Sequence, residues 1–198
     1  MRTLYLVAIS LAVVTPLSAQ EQHSNTASSR SAYAGEQVRE IASLSPEDIA
    51  ELQRGGGWGL ARAAELNGVP GPAHLLELKA EIGLSTSQVA AISAIRDRMR
   101  ADAISAGGQL IAAERALDHA FTNAIPDAAD LARLVTDAGK ARAALRLVHL
   151  SAHLDTPAIL SPTQIERYNV LRGYADDPCA AVPEGHDPAM WRRHNGCK

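Results

Sequence analysis

The stretch RLVHLSAHLDTPAILSPTQ, residues 146–164, sets His149 and His153 four residues apart just ahead of a proline-marked break. On a helix that spacing puts two imidazoles on one face. They can then reach a common ion about 2.0–2.1 Å from each nitrogen, provided other ligands complete the shell. The other reading is structural: two polar residues that hydrogen-bond locally at the edge of a stripe holding Val148 and Ala152. His74 offers a third imidazole, and Glu77, three residues on, shares its helix face. His74 lies ten residues before Leu84 and His149 eleven before Leu160, and each leucine opens the same motif, LSTSQ at 84–88 and LSPTQ at 160–164. Histidines placed that way stand at a similar height if the two motifs come to one end of the molecule. Imidazole with carboxylate suits nickel, cobalt, zinc or copper(II).

The tail, residues 175–198, is the second place where chemistry is concentrated. Cys179 and Cys197 are the only cysteines, and in an oxidising compartment an even count in a proline-rich tail points to a disulfide. His186, Met190 and His194 form a secondary set of soft or borderline metal ligands in the same segment, although the spacing with the two cysteines matches no zinc pattern. Asp187 can cap a short helix begun by Pro188, which would put Met190 and His194 on one face. The stretch RGGGWGLARAAELNG lacks phosphate-loop spacing and no strand precedes it, so it reads as a flexible turn with Trp58 as an anchor. Trp191 can anchor the tail in the same way. There is no nucleophile elbow and no HExxH zinc motif, and the carboxylates read as solvated helix faces, so an enzyme is not expected.

These residues need helices to position them. Ser45 can cap a helix with Pro46 in its first turn and Gly55 after its end. Leu60–Leu66 is a two-turn piece, and a third helix runs from about Ala73 to Ile82, closed by Gly83. From the Ser85–Gln88 capping box, apolar residues recur at helical spacing: Ile92, Ile95, Met99, Ala103, Ala106, Leu110, Ala113, Leu117 and Phe121. This predicts one helix of about 36 residues, roughly 54 Å long, with Gly107-Gly108 as the place where it would bend. Pro126 and Asp127 mark a turn, and a return helix carries Leu131, Leu134, Ala138, Leu145, Val148 and Ala152 on one stripe. Pro157 interrupts it, and a last helix starts from a second box, Ser161 to Gln164. Two long helices joined by a tight turn bury their stripes only if they lie antiparallel. The expected fold is all-α, an elongated antiparallel helical hairpin with flanking shorter helices.

The chain begins MRTLYLVAISLAVVTPLSAQ, an arginine, a short apolar run and a small-residue site: a signal peptide over 1–19. Residues 20–44 are polar and small and are expected to be flexible; 45–174 form the helical domain and 175–198 the tail. Lys and Arg total 19 against 22 Asp and Glu, a net charge of −3 that gives no basic surplus, so nucleic acid is not an expected partner. Aromatic residues are only 4% of the chain, which implies a thin helical core and favours a homodimer that adds burial.

The signal peptide, the helix order and the paired LSTSQ and LSPTQ boxes resemble the LTxxQ family of bacterial periplasmic helical proteins, over roughly 42–174. That family takes in Spy- and CpxP-type stress chaperones and CnrX-type heavy-metal sensors. The resemblance implies a small, non-enzymatic, periplasmic protein, often dimeric. It would either bind a transition metal ion, with a membrane-bound signalling partner possible for a sensor, or hold unfolded protein clients on its hairpin. CnrX-type sensors draw histidine and acidic ligands from a first helix and a His-x-x-x-Met pair from a later one; here His153 stands in the methionine's place.

Overall fold

The computed structural model describes residues 30–197, and the expected signal peptide lies outside them. The chain divides into two units, Met1–Gly35 and Glu36–Lys198. Of the first, residues 30–35 are described, with the Ala34 amide donating to the Ser31 carbonyl in a turn.

The second unit is all-α among its described residues. Its helices are α1 Pro46–Gln53, α2 Arg62–Glu65, α3 Pro72–Glu77, α4 Lys79–Ile82, α5 Thr86–Asn123, α6 Ala128–Asp155, α7 Pro162–Leu171 and α8 Pro188–His194. The capping chemistry explains most of these starts. The hydroxyls of Ser45, Ser85 and Ser161 accept from the amides of Asp48, Gln88 and Gln164, and those three side chains return to the cap amides. Asp127 and Asp187 cap α6 and α8 through their carboxylates, each satisfying amides that a helix start leaves without partners.

α5 and α6 pack as the hairpin, and the Arg98–Asp155 ion pair at 3.2 Å joins the start of one to the end of the other, as antiparallel helices require. α5 runs unbroken through Gly107-Gly108. Gly107 serves a contact: a Cβ there would lie 2.8 Å from the Leu52 carbonyl, and its absence lets the end of α1 close on α5. Leu52, Leu60, Ala103, Leu110 and Leu145 form one buried cluster there. Leu75, Ile82, Ile92, Leu160 and Tyr168 form a second, where α3, α4 and α7 meet the start of α5.

Two expectations are corrected. The segment expected to be flexible over 20–44 packs onto the helices at its end: Ile41 and Leu44 are 0% and 2% exposed within the first cluster, and Glu40 pairs with Arg115 at 2.6 Å. An apolar pair three residues apart is too short to show a period, and burial of this pair depends on a helix about 70 residues away. The single helix expected over 73–82 is two, because Leu78 leaves helical geometry at φ −96°, ψ 16°. No described helix is long and apolar enough to cross a membrane.

At the box end of the hairpin, Gln88 and Gln164 meet. Gln88 Nε2 donates to Gln164 Oε1 at 2.8 Å, and Gln164 Nε2 donates back to Gln88 Oε1 at 3.1 Å. Their second donor bonds go to the Ile159 and Gly83 carbonyls, and each Oε1 also accepts its own cap amide. Both amides thus use two donors and two acceptors, the full capacity of the group.

Candidate functional site

α6 carries His149 and His153 under the loop that follows α1 and under the turn that leads into α3. Both are more buried than the boundary position expected, at 3% and 6% exposure. A helical wheel puts Val148 and His149 on opposite flanks of the stripe. Which flank is buried depends on the loop around Gly56, whose backbone lies close enough to the His149 ring to favour its protonated form. Glycine makes room for the second ring: a Cβ on Gly71 would lie 2.6 Å from His153.

His153 Nδ1 lies 2.8 Å from the Val69 carbonyl, 84 residues away in the chain. A carbonyl only accepts, so Nδ1 carries the proton, and in the neutral ring Nε2 is left with its lone pair. Nε2 stands 3.9 Å from Glu65 Oε2, too far for a hydrogen bond and within reach of a shared cation. His74 repeats the pattern, with Nδ1 2.8 Å from Glu77 Oε2, which leaves Nε2 free of that contact. Glu77 therefore orients His74 rather than facing the site, the role outer carboxylates take around metal-binding histidines.

His149 differs from both. Its Nε2 is buried and has no hydrogen-bond partner among the described residues. Burial pushes the His149 imidazole below its ordinary value of 6.5, and the nearby His153 pushes the same way, against the Gly56 backbone and Glu51. The ring is thus held neutral, with a nitrogen that nothing engages.

Glu65, which the sequence did not single out, is the carboxylate that faces the pocket. Its Oε1 accepts from Tyr168 at 2.7 Å, Tyr174 at 3.1 Å and Arg172 Nε at 3.2 Å, which leaves Oε2 toward His153. Burial opposes its ionisation, but the two tyrosine hydrogen bonds and the charges of His74 and Arg172 outweigh it, so its carboxyl stays below the usual range. Burial first, and then the bond to Glu65, pushes the Tyr168 hydroxyl well above its ordinary value, so it remains a donor. Met99 reaches the same pocket from α5. Glu65, Gly71, His74, Met99, His149 and His153 line a cavity of about 340 Å³.

The structure therefore brings His74, His149 and His153 to one cavity, and Glu65 takes the place expected of Glu77. It does not draw them into a finished shell: among the described residues no three His, Cys, Asp or Glu side chains form a group that could hold an ion as they stand. The donors fit a transition metal in kind, and the unpartnered His149 nitrogen is the observation that favours one. The side chain of His74, 36% exposed, has the most room to move toward it.

In the tail, Cys179 and Cys197 are joined in a disulfide, which removes both sulfurs as thiolate ligands. His186 packs edge-on against Trp191 at 4.9 Å, and Met190 is 69% exposed, so the secondary set with His194 is not assembled. Trp191 Nε1 donates to the Pro178 carbonyl at 2.7 Å, a bond that closes the tail on itself rather than onto the hairpin. Trp58 likewise donates from Nε1 to Asp48 at 2.7 Å.

No family model matches this chain, and no curated protein or solved structure does.

Proposed function

We propose that this chain is an exported, non-catalytic protein of the bacterial envelope that binds a transition metal ion in the cavity over α6, as a sensor or a buffer. The observation that carries the reading is the buried His149 Nε2 with no partner. Leaving such a group unpaired costs about 1–3 kcal/mol, which a ligand would recover. His153, fixed by the Val69 carbonyl, and His74, fixed by Glu77, would supply two further imidazole nitrogens, and Glu65 Oε2 and the Met99 thioether the remaining donors. Nickel, cobalt, zinc and copper(II) suit this mixture. The ion would supply positive charge beside the Glu65 carboxylate. The chain's part is to orient the rings through their Nδ1 atoms, to keep His149 neutral and to hold Glu65 ionised.

The Cys179–Cys197 disulfide supports an oxidising compartment such as the periplasm, and the paired serine–glutamine boxes support a protein similar to the LTxxQ type. The test is titration of the purified protein with each of the four ions. Micromolar or tighter binding is expected, and binding that persists in a His149→Ala/His153→Ala variant removes the site.

A second reading has its own observation. Leu147 and Leu154, seven residues apart on α6, are 65% and 74% exposed. Ile95, Met99 and Leu147 line a groove of about 310 Å³ between the two long helices. An apolar face of that kind suits weak contact with unfolded clients. Suppression of client aggregation without metal, lost in Leu147→Ser/Leu154→Ser, is the expected outcome; unchanged aggregation at stoichiometric excess of the protein rejects it.

A further inference from the structure

We propose that the cleft between Trp58 and α6 binds a phosphate-type oxyanion. The cleft has a volume of about 440 Å³ and is lined by Arg62, Arg142, Arg146, Trp58 and Glu51 among others. Arg133, on the same helix as Arg142 and Arg146, pairs with Asp130 and Asp137. Arg98 and Arg115 of α5 pair with Asp155 and Glu40. The three cleft arginines have no carboxylate partner among the described residues. Arg142 and Arg146 stand four apart on one helix face, an arrangement of like charges that costs stability unless something neutralises it.

The floor of the cleft is fixed in advance. Trp58 sits at φ 44°, a left-handed conformation uncommon for a side chain of its size. Two carboxylates hold it there: its amide donates to Glu51 Oε1 at 2.8 Å and its indole to Asp48 Oδ1 at 2.7 Å. The Arg142 guanidinium then lies 4.5 Å from the ring centroid, a cation–π contact that orients it without using up its N–H donors. Strain held by specific partners beside an unsatisfied charge cluster is a pattern of binding sites. With three guanidiniums against one Glu51 carboxylate, the lining carries 3 − 1 = 2 net positive charges. Guanidinium forks match phosphate oxygens in geometry, and a free phosphate and a lipid headgroup share that chemistry. Gly59 and Arg62 also line the histidine cavity, but no histidine lines this cleft, and metal is not needed to fill it.

The test uses chelator-treated protein, so its result does not depend on metal binding. Inorganic pyrophosphate is titrated by calorimetry, and vesicles of phosphatidylglycerol in phosphatidylcholine are tested in parallel by co-sedimentation. Saturable binding of one pyrophosphate is expected, weakening as salt rises and falling about tenfold or more in either Arg142→Gln or Arg146→Gln. Arg133→Gln makes the same change of net charge on the same helix and should leave affinity unchanged. Vesicle binding with the same arginine dependence assigns the site to a headgroup, and pyrophosphate binding alone assigns it to a free anion. Absence of both, or equal loss in Arg133→Gln, overturns the proposal. Circular dichroism of each variant confirms that the helices remain, and Arg146→Lys, which keeps the charge but loses the fork, should recover only part of the affinity.

Discussion

At the box end of the hairpin, Gln88 and Gln164 fill every donor and acceptor position they have, with each other, with their own caps and with the Ile159 and Gly83 carbonyls. In the pocket over α6, a buried nitrogen of His149 fills none. Both regions come from a sequence motif used twice, and both join parts of the chain about 70 or more residues apart. The difference separates two uses of buried polarity. A network whose groups are all paired fixes one packing arrangement, whereas a buried group left over costs stability and, on the reading proposed above, gains its partner from a ligand.

Breaking the box end should give the largest effect on stability. Replacing both glutamines, Gln88→Ala/Gln164→Ala, removes two cap returns and leaves carbonyls without donors, a loss of about 2–3 kcal/mol in urea unfolding. Because the two side chains bond each other, each single change should account for well over half of that loss. Additive, small effects would mean the amide pair is not a unit.

The pocket should respond in the opposite sense at one position. His153→Phe strands the Val69 carbonyl and is expected to cost about 2 kcal/mol. His149→Phe removes an atom that has no partner to lose, so stability should hold or rise by up to about 1 kcal/mol. Equal losses at the two positions would erase the distinction drawn between them.

A third, smaller effect is pH dependence. The His149 imidazole titrates lower in the folded protein than its ordinary 6.5. Between the folded value and 6.5 the unfolded chain therefore binds more protons, so stability is fully present above 6.5 and is lost as pH falls below it. Glu65 acts in the same direction at lower pH, since its carboxyl lies below its ordinary 4.5. Thermal melts of the apo protein should show the decline starting below 6.5, and His149→Phe should flatten that first part. A decline of equal slope in the variant assigns it elsewhere. The smallest effect should come from the exposed Arg98–Asp155 pair: Arg98→Ala is expected to cost under about 0.5 kcal/mol.

The box end was legible in the sequence because its parts are local. Serine and glutamine at fixed offsets mark where α5 and α7 begin, with proline added at α7, and capping residues likewise place α1, α6 and α8. That the two glutamines would bond each other was not legible, since neither motif encodes the other's position. The pocket was half legible. The spacing of His149 and His153 and the matched offset of His74 brought three histidines to one cavity. Glu65 was missed because its partners, Tyr168, Arg172 and Tyr174, lie 103 to 109 residues away, and a lone glutamate in a short helix reads as solvated. From the sequence Met99 reads as core, the usual place of an apolar residue on a helical stripe. The burial of Ile41 and Leu44 and the break at Leu78 also depend on tertiary packing that no short window contains.

The most direct test of a metal site at His149 is metal titration of the protein against His149→Phe, with thermal stability measured on the same samples. Micromolar or tighter binding of at least one of nickel, cobalt, zinc and copper(II) is the predicted result for the parent. His149→Phe should lose at least about a tenfold of that affinity, while melting no lower than the parent. No binding by the parent, or undiminished binding by the variant, would contradict a metal site there.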